Sequence, residues 1–163
     1  MGSTIFFSWQ ADTLTLTGRN FIERALERAL ERAVARISGD ASIHEAVRDL
    51  AVDQGTQDVP GSPPVIETIL GKIDAAAVVV SDLTFTGQRL DGRPTPNPNV
   101  LIEYGWALKS LTHSRIISVM NTAYGKPTAD TLPFDLGYLR HPIQYNCPED
   151  ADDETRQIGR AHV

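Results

Sequence analysis

The sequence predicts an α/β fold, a three-layer α/β/α sandwich built on a parallel sheet, and three observations carry that expectation. Short runs rich in β-branched and aromatic residues alternate with amphipathic segments almost throughout. The clearest run, AAAVVVSDL (75–83), is continuous rather than alternating, as suits a strand covered on both faces. The chain has 163 residues, 41% hydrophobic and 22% charged, which fits one domain that buries roughly two-thirds of its unfolded surface.

TIFFSW (4–9) is expected to be the first strand. In RNFIERALERALERAVARI (19–37), Phe21, Ile22, Ala25, Leu26, Ala29, Leu30, Ala33, Val34 and Ile37 fall on one face of a helix. The other face repeats Glu-Arg and is expected to be solvated, with weak spaced ion pairs. EAVRDLAVD (45–53) predicts a second strand whose charges suit an edge, and QGTQDVPGSPP a loop in which Ser62 caps a helix and Pro63 opens it. PVIETILGKIDAA supplies that helix, and 75–83 the third strand.

TFTGQRLDGRPTPNP is expected to be a loop, leading into a helix that starts near Asn97 and Pro98. RIISVMN (115–121) and PIQYN (142–146) predict the fourth and fifth strands. The stretch between them is rich in glycine and proline, so its crossover should be short or irregular. Pro148, Glu149 and Asp150 are placed to start a last helix, but residues 151–163 offer almost no apolar face to bury. The closing IGRAHV reads as the translation of a common sequencing adaptor. Residues 1–147 are therefore expected to form the domain, 148–163 an acidic tail or a cut-short last helix, and 158–163 to be non-native.

A net charge of −6, with its basic residues scattered, argues against a nucleic-acid groove. The single cysteine, Cys147, allows no internal disulfide, and no Cys/His cluster has metal-ligand spacing. No charged leader precedes a long apolar stretch, and no run approaches the roughly 20 apolar residues of a membrane span. A cytoplasmic domain without a metal or membrane contact is the expectation.

In open parallel sheets, ligands bind outside the carboxyl ends of the strands. The residues there are Ser8, Trp9 and Gln10, then Asp53, Asp82, Thr84 and Asn121. Asp53 and Asn121 are expected to be structural, while the segment from Ser8 to Asp12 and Asp82 stay open between loop structure and ligand binding. Glu103 is set apart by position. Val100, Tyr104, Ala107, Leu108 and Leu111 define the apolar face of its helix at 100° per residue, and Glu103 lies at the border of that face. With the helix starting at the rim of the sheet, Glu103 can face the crevice. Position alone also allows a half-exposed glutamate reaching to water or to an arginine. Gly105, costly inside a helix, is expected to mark close backbone packing.

FFSWQAD, VVVSDLT, NPNVLIEYGWAL, NTAYG and LPFDLGYLR, in that order over residues 4–146, resemble the bacterial TIR-like nucleotide-binding domains of antiphage defence effectors. Those domains are distantly related to nucleoside 2-deoxyribosyltransferases. Asn99, Glu103, Gly105 and Ala107 match the pattern that surrounds the family's glutamate on the helix after the third strand.

The resemblance implies a flavodoxin-like, five-stranded parallel sheet of order 2-1-3-4-5 with the final helix short or missing. It also implies cleavage of NAD⁺ between nicotinamide and ribose, with NAD⁺ as substrate, no cofactor, and Glu103 as the catalytic acid residue. Ser8, Trp9, Gln10 and Asp12 would line the nucleotide site together with Asp82, Thr84 and Asn99, and Trp9 or Tyr104 would stack on a ring. Self-association and a fused or partner sensor domain are implied as well.

The chemistry suits a lone carboxylate. Nicotinamide leaves as a neutral molecule, and the developing positive ribose needs a negative charge beside it. The loop after the second strand carries no recognisable motif of animal or plant TIR domains. Two other readings compete: base exchange on deoxynucleosides with Glu103 as a covalent nucleophile, and a catalytically silent binding or oligomerisation module. A phosphoreceiver would need an acidic pair where Ser8-Trp9-Gln10 stands, and no glycine-rich phosphate loop occurs.

Overall fold

The computed structural model describes residues 4–37, 50–55, 64–137, 139 and 141–157. Five parallel strands form the main sheet: β1 (Thr4–Ser8), β2 (Ala51–Asp53), β3 (Val78–Asp82), β6 (Ile116–Asn121) and β7 (Ile143–Tyr145). Their spatial order is β2-β1-β3-β6-β7, which is the expected 2-1-3-4-5 once the two strands of a separate hairpin are set aside. The three-layer, flavodoxin-like α/β arrangement follows from how the strands alternate their side chains.

On β1, Phe6 points to one layer and Phe7 to the other. Phe6 packs with Val79, with Ile73 of α2 (Val65–Ala75) and with Ala107 and Leu111 of α3 (Pro98–Leu111). Phe7 packs with Val80 and with Ile22 and Leu26 of α1 (Arg19–Arg36). Thus α1 covers one face of the sheet and α2 and α3 the other. Trp106 Nε1 donates to Asp74 Oδ1 at 2.8 Å, and Lys72 pairs with Asp53 at 2.7 Å, tying α3 to α2 and α2 to β2.

Several boundaries differ from the sequence expectation. The alanines ahead of β3 belong to the preceding turn: Ala75 ends α2, Ala76 N–H closes on Ile73 O at 3.1 Å, and the strand begins at Val78. The second strand is confined to Ala51–Asp53; residues 45–49 of its expected span, like Ser62 and Pro63, lie outside the described residues. The Glu-Arg face of α1 forms no ion pair among the described residues, and Glu23 instead accepts from Gln54 Nε2 at 2.9 Å.

The expected loop after β3 contains an antiparallel hairpin, β4 (Phe85–Gln88) and β5 (Pro94–Pro96). Its turn carries Asp91-Gly92 with Gly92 at φ 81°, a dipeptide that tolerates the left-handed region a tight turn needs. The β6–β7 crossover is irregular as expected, holding a 3₁₀ turn at Thr122–Tyr124 and a four-residue helix, α4 (Phe134–Gly137).

The last helix, α5 (Asp153–Gln157), starts later than Pro148. Asp152, whose carboxylate accepts from Thr155 N–H at 2.7 Å, supplies the cap. Residues 158–163 lie outside the described residues. Among the described residues no helix is long and apolar enough to cross a membrane.

Candidate active site

A cleft of about 300 Å³ opens at the carboxyl ends of β1 and β2, where the loop after β1 meets α2 and α3. Trp9, Gln10, Ala11, Asp12, Asn99 and Glu103 line it, so most residues expected from the sequence converge there.

Glu103 reaches the cleft because α3 begins at its rim. Asn97 caps the helix, its Oδ1 accepting from Asn99 N–H at 2.8 Å and Val100 N–H at 3.4 Å, and Pro98 occupies the first helical position. Over the first three turns, the buried Val100, Tyr104 and Ala107 seat α3 on the sheet, leaving Glu103 half-buried at the edge of that face. The Ser8 hydroxyl donates to Glu103 Oε2. Burial raises the Glu103 carboxyl above its ordinary range, and the Ser8 hydrogen bond opposes that shift. A carboxylate strained by partial desolvation and held by one donor is primed to interact with a cation that develops next to it.

Gln10 lines the cleft, yet its side chain is committed to the protein. It is 4% exposed; Oε1 accepts from Asp12 N–H and from Thr13 N–H at 3.1 Å, and Nε2 donates to Thr13 Oγ1 at 2.8 Å and Asp82 Oδ2 at 3.4 Å. Gln10 thereby shapes the turn that carries Asp12. Asp12 in turn accepts from Asn97 Nδ2 at 2.6 Å, which bridges the mouth of the cleft from the β1 loop to the start of α3.

Asp82 and Thr84 are not brought into the cleft. Both are buried; Asp82 accepts from the Thr84 backbone N–H at 3.0 Å and from the Thr84 hydroxyl, and desolvation raises its carboxyl while those bonds oppose the shift. Thr84 Oγ1 accepts from Asn121 N–H at 2.9 Å, and Asn121 Nδ2 donates to Cys147 O at 2.7 Å. These strand-end residues form a buried brace across β3, β6 and the segment after β7. The structural reading of Asn121 and of the ion-paired Asp53 agrees with this placement.

Tyr104 likewise sits in the core beside Leu83, Val100 and Met120, on the far side of α3 from the cleft, so its ring is not placed to stack on a ligand there. Trp9 does border the cleft, and the Arg19 guanidinium covers its ring at 4.1 Å from the centroid. Arg19 Nε also donates to Gln54 Oε1 at 3.1 Å, fixing the end of β2.

The expected close packing at Gly105 is absent: the position is exposed and an added Cβ would meet nothing within 4 Å. Arg19 was not singled out in the sequence, and Asn97 was read only as the start of its helix. Asn97 carried a usable signal, since an asparagine directly before a proline and an apolar run marks a capped helix start. Among the described residues, the cleft lining contains the acids Asp12 and Glu103 and no lysine, arginine or histidine. No group of three or more metal-ligating side chains occurs among the described residues.

No family model matches the chain, and no curated protein matches it. Among solved structures, a distant neighbour is a 2-desoxiribosyltransferase from Leishmania mexicana, with 12% sequence identity and a TM-score of 0.44 over 86% of this chain and 89% of that one.

Proposed function

We propose that the cleft cleaves the N-glycosidic bond of a nucleoside, with Glu103 acting at the anomeric carbon. The observation that carries this reading is the half-buried Glu103 carboxylate, held by Ser8 in a small acidic cleft. About 300 Å³ lies at the lower end for small-molecule sites, the scale of a nucleoside rather than a dinucleotide. An acidic lining favours a substrate that turns positive in the transition state and offers no partner to a diphosphate.

In a transfer reaction, a Glu103 oxygen forms a bond to C1′ as the bond from C1′ to the base nitrogen breaks. The base leaves with that electron pair and takes a proton from water. A second base then attacks C1′, breaking the bond to the carboxylate oxygen, and gives its N–H proton to the hydroxide left by the first step. Asn99 and Asp12, on the same rim, would hold sugar hydroxyls, and Trp9, which also lines the cleft, would stack on the base.

Hydrolysis of NAD⁺ is the second reading, suggested by the TIR-like motifs, and the observation that favours it is Arg19, a cation stacked at 4.1 Å on the cleft-lining Trp9. Glu103 would then stabilise the oxocarbenium while neutral nicotinamide departs. Self-association and a sensor domain would govern that activity in antiphage defence, as the resemblance implies.

The test is to incubate the protein separately with 2′-deoxyinosine plus adenine and with NAD⁺, following products by chromatography. Formation of deoxyadenosine supports base exchange, and nicotinamide release supports hydrolysis of NAD⁺. Binding of either without turnover, at every protein concentration, would overturn the enzymatic reading and leave a silent module.

A further inference from the structure

Three adjacent strands change from apolar residues to serine at the same level. Ser8 of β1 is in register with Ser81 of β3, and Ser81 with Ser118 of β6. All three face α3. Each lies two residues beyond a side chain, Phe6, Val79 or Ile116, that packs on the α2 and α3 layer. The Ser8 bond to Glu103 confirms that direction at one end.

At the centre, the Ser81 hydroxyl is fully buried and has no hydrogen-bond partner, an arrangement that costs about 1–3 kcal/mol unless something satisfies it. At the other end, Ser118 lines a second cavity of about 340 Å³ on the far side of α3, bordered also by Tyr104, His113 and His141. The hydroxyl row therefore runs beneath α3 from Ser8, bonded to the cleft-lining Glu103, to Ser118 at the second cavity.

The spacing identifies what joins the row. Neighbouring strands lie about 4.8 Å apart, and no direct bond joins the serines, Ser81 Oγ having no partner. One water making two bonds of about 2.8 Å at a tetrahedral angle spans about 4.6 Å.

We propose that Ser8, Ser81 and Ser118 hold internal water between them and form a proton relay from Glu103, beneath α3, to the second cavity. Each hydroxyl accepts one hydrogen bond and donates one. While Glu103 is ionised, every donor points toward its carboxylate, a polarised chain that favours the charge. When Glu103 takes up a proton, the chain returns it by reversing: Glu103 gives a proton to Ser8, each oxygen passes its own hydrogen onward, and one proton leaves into solvent at Ser118. A nucleoside that fills the cleft would block direct exchange at its mouth, and this route stays open beneath it.

Burial raises the Glu103 carboxyl and the Ser8 bond opposes that shift, so the relay acts on its ionisation through Ser8. Among the described residues the other titratable side chain in the cleft is Asp12, engaged with Asn97; α2 presents Ile69, and β1 and β3 present Ser8 and Ser81. Among the described residues the histidines, His113 and His141, lie at the far cavity.

The test needs no substrate, so it stands apart from the proposed reaction. The Glu103 carboxyl is titrated by NMR in protein carrying ¹³C-labelled glutamate, with Glu103→Gln used to assign the signal. Ser81→Ala should move the midpoint upward, and Ser118→Ala should move it the same way by less. Val79→Ala, one layer along the same strand, should lower the melting temperature without moving the midpoint. A crystal structure at high resolution should show water bonded to Ser81 Oγ. An unmoved midpoint in Ser81→Ala overturns the relay, as does a Ser81 hydroxyl found bonded to a carbonyl of its own strand with no water between the serines.

Discussion

Replacing Gly105 by alanine should stabilise the protein without touching the cleft. Gly105 lies inside α3, where glycine costs about 0.8–1.0 kcal/mol relative to alanine because it leaves the unfolded chain more freedom. That gain is offset only if the new methyl group collides or the backbone is one that alanine avoids. Neither holds: an added Cβ meets nothing within 4 Å, and Gly105 is not among the glycines at positive φ. The full propensity difference, about 1 kcal/mol, should therefore appear as a rise of about 2–4 °C in melting temperature for a chain of this size. Thermal and urea unfolding of the two proteins, followed by circular dichroism, read it directly. An unchanged or lower midpoint would refute the reasoning, and would restore the close contact that glycine in this helix first suggested.

The remaining predictions concern the supports of the cleft. Gln10→Ala strips the amides of Asp12 and Thr13 of their acceptor and takes one donor from Asp82, so urea unfolding should show a loss of about 1–3 kcal/mol; a loss under about 0.5 kcal/mol would mean that the turn holds itself. Asn97→Ala should cost about 1 kcal/mol through the lost cap, and Asn97→Ser, which keeps a capping oxygen, should recover most of it; equal losses would place the effect in the Asp12 bond instead. Glu103→Gln should be at least as stable as the parent at neutral pH. Burial raises the folded-state carboxyl above its ordinary 4.5, so the ionised form weakens the fold above that raised value. The penalty is gone below 4.5, where the carboxyl is protonated in both states, so the two unfolding curves should converge in acid.

The sheet was legible in the sequence because each central strand is a dense apolar run whose burial on both faces leaves no other use for it. VVVSD shows this best, placed correctly to within the alanines that proved to close α2. The hairpin was missed because PTP at 94–96 looks like loop and its pairing partner FTGQ is short, although Asp91-Gly92 marked the turn.

At the site, helical geometry was enough to place Glu103 at the edge of the apolar face of α3, and strand-end position was enough to bring Trp9 and Asp12 beside it. Position does not say which way a strand-end side chain turns. Asp82 and Thr84 turn inward to brace the sheet, and Tyr104, one residue past Glu103, is carried about 100° around the helix into the core. The serine row could have been found by aligning FFS, VVVS and IIS, since parallel strands in register place the serines side by side.

Action of the Glu103 carboxylate on an N-glycosidic bond is read from base release measured side by side for the parent and Glu103→Gln. Both proteins are incubated with a panel of nucleosides and with NAD⁺, and their folds are matched by circular dichroism. The parent should release base, and a folded Glu103→Gln, which keeps the shape of the side chain but loses the charge the transition state requires, should do so at least about 10²-fold more slowly. Equal rates of base release from the two folded proteins would contradict it.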